Sequence, residues 1–283
     1  MKPRVMSLVL FTCMVGLIIA PNNVSYLNSV LSLIAVALGA GAAGTLNMWY
    51  ESDLDALMTR TCLRPIPTGQ VTKNQALFFG IMLSIGSISL LYYSSNLMSA
   101  SLLLLTICFY FFIYTVWLKR RTPQNIVIGG AAGALPPVIG WTIATGSLTI
   151  EPLILFLIIF LWTPSHFWAL SIYKSNDYKK AKIPMLPIIC GIDKTKKNIF
   201  IYSLLMLPTI SAPYLINFLS GVYFYPALVL TIYYIYLCGT LLKVKKSKQI
   251  NNLARKIFLY SIFYLFVIFL LILSDHFFMR IYG

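Results

Sequence analysis

Apolar residues run along this chain in long unbroken blocks, separated by short polar stretches. The blocks span roughly residues 5–20, 27–48, 75–93, 98–118, 126–146, 151–172, 199–217, 223–242 and 257–274. A run of about 20 apolar residues is long enough to cross the hydrocarbon core of a bilayer. In lipid every backbone N–H and C=O must find a partner inside the protein, so each block predicts a helix. The pattern predicts an all-α polytopic membrane bundle of nine transmembrane helices, folded as a single intramembrane domain over residues 1–283. Composition agrees: 59% of residues are hydrophobic and only 10% charged, against about 25% charged in a soluble domain. The opening MKPRVMSLVLFTCMVGLIIA has basic residues before an apolar stretch, as a signal peptide does. PNNVSYLNS follows it without a small-x-small cleavage pattern, so it is expected to be the first span.

Charge then orients the bundle. Of 22 basic residues, 21 fall in alternate connections: Lys2 and Arg4; Arg60, Arg64 and Lys73; Lys119, Arg120 and Arg121; seven lysines from Lys174 to Lys197; and six basic residues from Lys243 to Lys256. The opposite connections, 21–26, 94–97, 147–150 and 218–222, hold none, and Arg280 alone breaks the alternation. By the positive-inside rule the N-terminus is cytoplasmic and the C-terminus lies on the opposite side. A net charge of +15 is therefore topological, and no nucleic-acid partner is expected. The five cysteines are scattered with no CxxC, which is poor evidence for disulfides, zinc or iron–sulfur ligation. They read as small buried hydrophobes.

Five of the seven acids crowd into two connections on the basic side, about 49–74 and 173–198. Span two runs into Asn47, Glu51 and Asp55, spaced four apart. On a continuing helix Asn47 and Glu51 share a face and Asp55 lies about 80° further round. Two carboxylates and an amide oxygen are hard ligands, suited to Mg²⁺ held through a substrate's phosphates. Arg60 and Arg64 follow, four apart, and guanidiniums clamp phosphate oxygens. RPIPTG then breaks any helix. Lys119, Arg120 and Arg121 close span four, either as topological anchors or as phosphate ligands. Thr122 and Pro123 mark the start of the next helix, with Asn125 beside the proposed phosphates. Gly129, Gly130 and Gly133 clear a stripe for close packing or a large flat ligand. Pro136 and Pro137 interrupt that helix within the membrane, which is tolerated where a helix lines a cavity. In span six, His166 sits among Trp162, Phe167 and Trp168. It could ligate iron, donate a hydrogen bond, act as a base, or be a satisfied core histidine. Tyr173, Lys174 and Asp177 follow. Asp177 could hold a second Mg²⁺ and Lys174 could bind diphosphate. GAGAAG at 39–44 matches a dinucleotide fingerprint only in letters. It lies inside a span, where small residues serve helix contact. The residues alone leave a secondary transporter or a subunit without chemistry open.

Three stretches together, NMWYESDLDALMTRTCLRPIPTG, LKRRTPQNIVIGGAAGALPPVIGW and HFWALSIYKSNDYKKAKIPMLP, resemble the UbiA superfamily of intramembrane prenyltransferases, and within it the branch that farnesylates protohaem IX. The resemblance covers nearly the whole chain. It implies acidic motifs after spans two and six that bind Mg²⁺ and a donor diphosphate. Mapped here, these are Asn47, Glu51 and Asp55, with Asp177 in the second motif. The common quinone-type pattern N-D-x-x-D-x-x-x-D is altered: Met48 stands at its second position and Glu51 at its third named one. In the second motif Ala181 stands where another Asp is usual. The resemblance implies that farnesyl diphosphate, protohaem IX and water give haem O and diphosphate. Arg60, Arg64, Lys119, Arg120, Asn125 and Lys174 are then the diphosphate-binding candidates, and His166 and Trp168 the haem-binding ones. A quinone precursor or another aromatic acceptor, such as a chlorophyll-type ring, is the alternative. It further implies a lipid-embedded enzyme of the bacterial inner membrane, or alternatively the mitochondrial one, with a haem A synthase as an expected partner.

Overall fold

A computed structural model describes residues 3–59 and 61–282, with the side chains of residues 3–5 left aside. The apolar blocks fold as helices: α1 (Pro3–Ile18), α2 (Tyr26–Tyr50), α4 (Lys73–Ser94), α5 (Leu97–Cys108), α8 (Ile150–Tyr173), α11 (Ile192–Leu215), α12 (Gly221–Lys243) and α13 (Ser247–Tyr282). Short helices α3 (Ser52–Leu57), α9 (Ser175–Lys180) and α10 (Leu186–Ile189) lie in the two acidic connections. The fifth block is split into α6 (Asn125–Ala134) and α7 (Pro136–Thr145). Among the described residues eight helical stretches are long and apolar enough to span a bilayer, and α1 is a shorter apolar helix. The chain is thus an all-α polytopic membrane bundle.

Four features differ from expectation for local reasons. The α5 block ends as a π-helix, Phe109–Leu118, so Lys119 N–H reaches back five residues to the Tyr114 carbonyl. Helix α11 begins at Ile192 and α13 at Ser247, well before their apolar blocks. Their first turns hold lysines ahead of the apolar run, and Lys196 among them is buried, donating to Asp193 and to the Val244 carbonyl. Helix α6 starts at Asn125, not at Thr122, because residues 119–124 form a tight turn closed by Arg121 and Thr122 N–H donating to Leu118 O.

The bundle closes on itself, since α1 touches both α2 and α13 and Phe11 packs on Phe266 with ring centroids 4.8 Å apart. One apolar cluster is built on α8 and α11–α13, and another on α1, α2, α5 and α7. Apolar side chains on the outside, such as Phe78, Val229 and Tyr236, are also exposed. With lipid as the alternative solvent, close packing and not apolar burial holds such helices together. The crossing of α1 and α7 shows this. A Cβ on Gly16 would collide with the Pro137 carbonyl, and one on Gly140 with the Cys13 carbonyl. Each glycine admits the other helix's backbone.

Candidate active site

Helix α2 delivers the first site residues. Its last turn does not continue: Glu51 caps α2 at φ −99°, ψ 16°, and α3 starts at Ser52. The expected unbroken helix through Asp55 is therefore two helices with a corner at Glu51. The corner keeps Asn47 and Glu51 together, because Asn47 Nδ2 donates to Glu51 Oε2 at 2.8 Å. It also turns Asp55 inward. All three are buried, at 1%, 2% and 4% exposure. Buried carboxylates are costly unless they are paired, and each has its cation. Lys119 Nζ donates to Glu51 Oε2 at 2.5 Å. Arg64 Nη1 donates to both oxygens of Asp55, at 2.8 and 2.7 Å.

The three sequence constellations meet here. Lys119 and Arg120 come from the end of the π-helix. Arg120 reaches Asp53 through a fork of two bonds, 3.1 and 2.9 Å, and lies over the Tyr50 ring. Burial by itself pushes the Asp53 carboxyl up, but the Arg120 hydrogen bonds, backbone N–H donors and the guanidinium charge outweigh it and hold Asp53 below the usual carboxylate range. Asp177 on α9 accepts from the Thr59 hydroxyl at 3.1 and 3.2 Å, so the second acidic connection is tied to the first. Lys174 lies over Tyr173, with its Nζ 5.1 Å from the ring centroid, and Arg255 of α13 approaches the same ring at 5.8 Å. Arg60 falls outside the described residues.

Asn125 sits differently from expectation. It is fully buried, and its Nδ2 donates to the carbonyls of Lys119 and Thr122. Its amide hydrogens thus hold the turn that presents Lys119, and its Oδ1 has no hydrogen-bond partner. An amide in this pose has no donor left for a phosphate. The glycines of α6 also separate: Gly129 admits the Tyr114 ring, Gly130 admits Thr163, and Gly133 faces open space.

His166 is buried between α8 and α13. Its ring stacks between Trp162 and Phe258, with centroids 4.3 and 4.8 Å away. Nδ1 lies 2.6 Å from the Ser261 hydroxyl, which donates to the Phe258 carbonyl. The serine proton is committed, so Nδ1 carries the hydrogen and Nε2 the lone pair. Both faces of the imidazole are covered, leaving only its edge for a ligand. Trp168 is 1% exposed, with an indole N–H that has no partner.

Metal-binding capacity follows from the oxygens left over. Glu51 Oε1 is buried with no hydrogen-bond partner, which a protein tolerates where something else satisfies it. Among the described residues no three His, Cys, Asp or Glu side chains cluster closely enough to hold a metal unaided. One or two carboxylates completed by a ligand's phosphates is the arrangement that suits Mg²⁺, and the donor set fits it. Sequence reasoning passed over Thr115, which accepts from Asn47 Nδ2 at 3.1 Å, and also Thr59, Arg255 and the Asp53 bridge. Thr115 had one signal: the one aliphatic hydroxyl inside FYFFIYTVWL, four residues before Lys119.

A closed bundle of apolar helices, with paired acids and cations gathered at one end, defines an intramembrane enzyme for a ligand with an anionic head and an apolar body. The chain belongs to the UbiA prenyltransferase family, whose pattern it matches over residues 9–273. It is 66% identical over 275 residues to the Protoheme IX farnesyltransferase of Pelagibacter ubique, covering 97% of this chain and 91% of that one. It is 49% identical to Protoheme IX farnesyltransferase 2 of Mesorhizobium japonicum, over 97% and 88%. Among solved structures it resembles a digeranylgeranylglyceryl phosphate synthase, with TM-score 0.79, 19% identity, and 95% and 92% of the two chains covered. It also resembles a UbiA homologue from Archaeoglobus fulgidus bound to DMAPP and Mg²⁺, with TM-score 0.68, 16% identity, and 93% and 96% covered.

Proposed function

We propose that this chain transfers the farnesyl group of farnesyl diphosphate to a vinyl group of protohaem IX, with addition of water, giving haem O and diphosphate. The observation that carries the reading is the buried Glu51–Lys119 and Asp55–Arg64 pairing where α2 ends, in a chain 66% identical to a protoheme IX farnesyltransferase. The C1–O bond of the donor breaks and its electron pair leaves with diphosphate. The terminal vinyl carbon attacks C1, and the positive charge moves to the carbon next to the macrocycle. Water adds there and releases a proton to solvent. Arg64 and Lys119 stabilise the departing anion, which is a large term in a site shielded from water. Arg120, Lys174 and Arg60 are assigned to the same task, and Asn125 acts by holding the Lys119 turn. Asn47, Glu51, Asp55 and Asp177 are the residues that would hold Mg²⁺, which withdraws charge from the leaving group when bound.

The bundle is assigned nine spans, with α1 as the first, the N-terminus cytoplasmic and the C-terminus opposite. One domain covers the chain, with connections 49–74 and 173–198 forming the cytoplasmic working face. The protein is a multi-pass protein of the bacterial inner membrane, and its product would pass to a haem A synthase. His166 and Trp168 are assigned to contact protohaem IX, through Nε2 and the unpartnered indole N–H.

The test is the mass of the product formed by purified protein with Mg²⁺, farnesyl diphosphate and protohaem IX. Haem heavier by one farnesyl group plus water is the expected result. Unchanged haem, with a quinone precursor prenylated by the same preparation, would keep the fold and discard the acceptor.

A further inference from the structure

We infer that Thr115 is a positioning residue for the metal–diphosphate site, acting through Asn47. The inference rests on the diphosphate-site reading above. Thr115 is fully buried on the π-helix, and its hydroxyl donates to the Tyr110 carbonyl five residues back at 2.9 Å. That reach matches the wide turn of a π-helix. A hydroxyl carries one hydrogen, so Thr115 Oγ1 meets Asn47 only as an acceptor.

The Asn47 amide nitrogen has two hydrogens, and both are used: one on Glu51 Oε2 at 2.8 Å and one on Thr115 Oγ1 at 3.1 Å. Glu51 decides which end of the amide faces the carboxylate. Thr115 fixes the plane of the amide, and so the direction of its oxygen. Lys119 caps the end of the same π-helix, and its ammonium shares Glu51 Oε2 with Asn47. One distorted turn thus sets both groups that orient the Glu51 carboxylate and leave Oε1 unsatisfied. Side chains that orient metal ligands from behind typically carry about 10–100-fold in metal affinity or activity.

The experiment uses the full-length protein in nanodiscs and follows Mn²⁺ binding by EPR in the presence of inorganic pyrophosphate. Thr115→Val keeps the β-branched shape and removes the acceptor. It is expected to raise half-saturating Mn²⁺ about tenfold while the melting temperature stays close to wild type. Thr115→Ser restores the acceptor and is expected to bind within about twofold of wild type. In an Asn47→Ala background Thr115→Val is expected to add nothing, because residues acting as one unit are not additive. Wild-type Mn²⁺ binding by Thr115→Val, or effects of the two substitutions that multiply, overturns the inference. Should the valine variant not fold, Thr115→Cys, a weaker acceptor of similar size, is read against the same expectation and the same overturning result. A wild-type protein that binds no Mn²⁺–pyrophosphate overturns the diphosphate-site reading itself, which is a different failure from wild-type-like binding by the variant.

Discussion

Two buried acids at opposite ends of the bundle show how differently a membrane protein treats a carboxylate. Asp275, on α13 far from the basic face, is 1% exposed and saturated. Its Oδ1 accepts from the Ser220 hydroxyl and Tyr223 N–H, and its Oδ2 from Ser220 N–H. Those amides are orphan donors at the start of α12, so Asp275 caps a neighbouring helix. Glu51 is as deeply buried, yet one of its oxygens has no hydrogen-bond partner and the other is crowded by Lys119 and Asn47. Backbone amides cannot leave Asp275, whereas lysine and arginine side chains can release Glu51 and Asp55 when a stronger anion arrives. The saturated acid has the bonding of a structural cap, and the acid with an unused oxygen is the one proposed for the chemistry.

The largest expected effect comes from breaking the chemical end. Asp55→Ala should lower turnover by about a thousandfold, since it removes a ligand for the charge carrier and leaves Arg64 unpaired. Glu51→Gln should act almost as strongly while preserving shape. Glu51→Gln should keep folded yield and melting temperature near wild type, whereas Asp55→Ala, which strands Arg64, should also lower the melting temperature, so its turnover is read per folded molecule. Steady-state product formation beside a melting curve checks this, and near-normal turnover by Asp55→Ala would undo the site assignment. Next in size, Asp275→Ala should invert the pattern. Losing three hydrogen bonds at a buried helix start costs about 2 kcal/mol, visible as a lower melting temperature, with turnover per folded molecule retained. Lost turnover at full stability would put Asp275 in the wrong class.

A smaller effect separates the two readings of His166. His166→Ala should weaken protohaem IX binding about tenfold, the scale of one well-placed polar contact, and alter the bound haem's absorption spectrum. Farnesyl diphosphate binding should be untouched, because the imidazole packs on Ser261 and Phe258 between α8 and α13 and not on the Glu51–Lys119 pair. Unchanged haem affinity and spectrum would leave His166 as a packed interhelical residue, as its covered faces allow.

Sequence showed the bundle more fully than the site. Apolar runs in lipid have one secondary structure open to them, so the helices were legible to within a few residues wherever the run itself set the boundary. The start of α11 was not, because lysine is a good helix former and the helix begins before the apolar run does. Convergence of the three motifs was legible as likeness but not as geometry. Nothing in the spacing of Glu51 and Lys119 says that they touch, since tertiary packing of α2 against the π-helix decides it. The π-helix was invisible, because its composition suits any apolar helix. Asn125 is a diphosphate-binding candidate by type and position alone, but its backbone neighbours take its amide hydrogens.

The smallest effect sharpens the contrast from the rim of the chemical end. The Asp53–Arg120 pair is exposed, with side-chain exposures of 56% and 36%, so solvent screens it and a stabilisation of only a few tenths of a kcal/mol is expected. Asp53 titrates below its ordinary range when folded. A depressed carboxyl stabilises the folded state above its unfolded pKa and loses that contribution as pH falls through the folded one. Wild type should therefore lose a little more stability than Asp53→Asn between neutral pH and the region below the usual carboxylate range, and the difference should shrink in high salt. Parallel melting-temperature curves against pH check this. Curves that coincide at low salt would mean that Arg120 holds Asp53 too weakly to matter, leaving Arg120 free for the diphosphate at no cost to the fold.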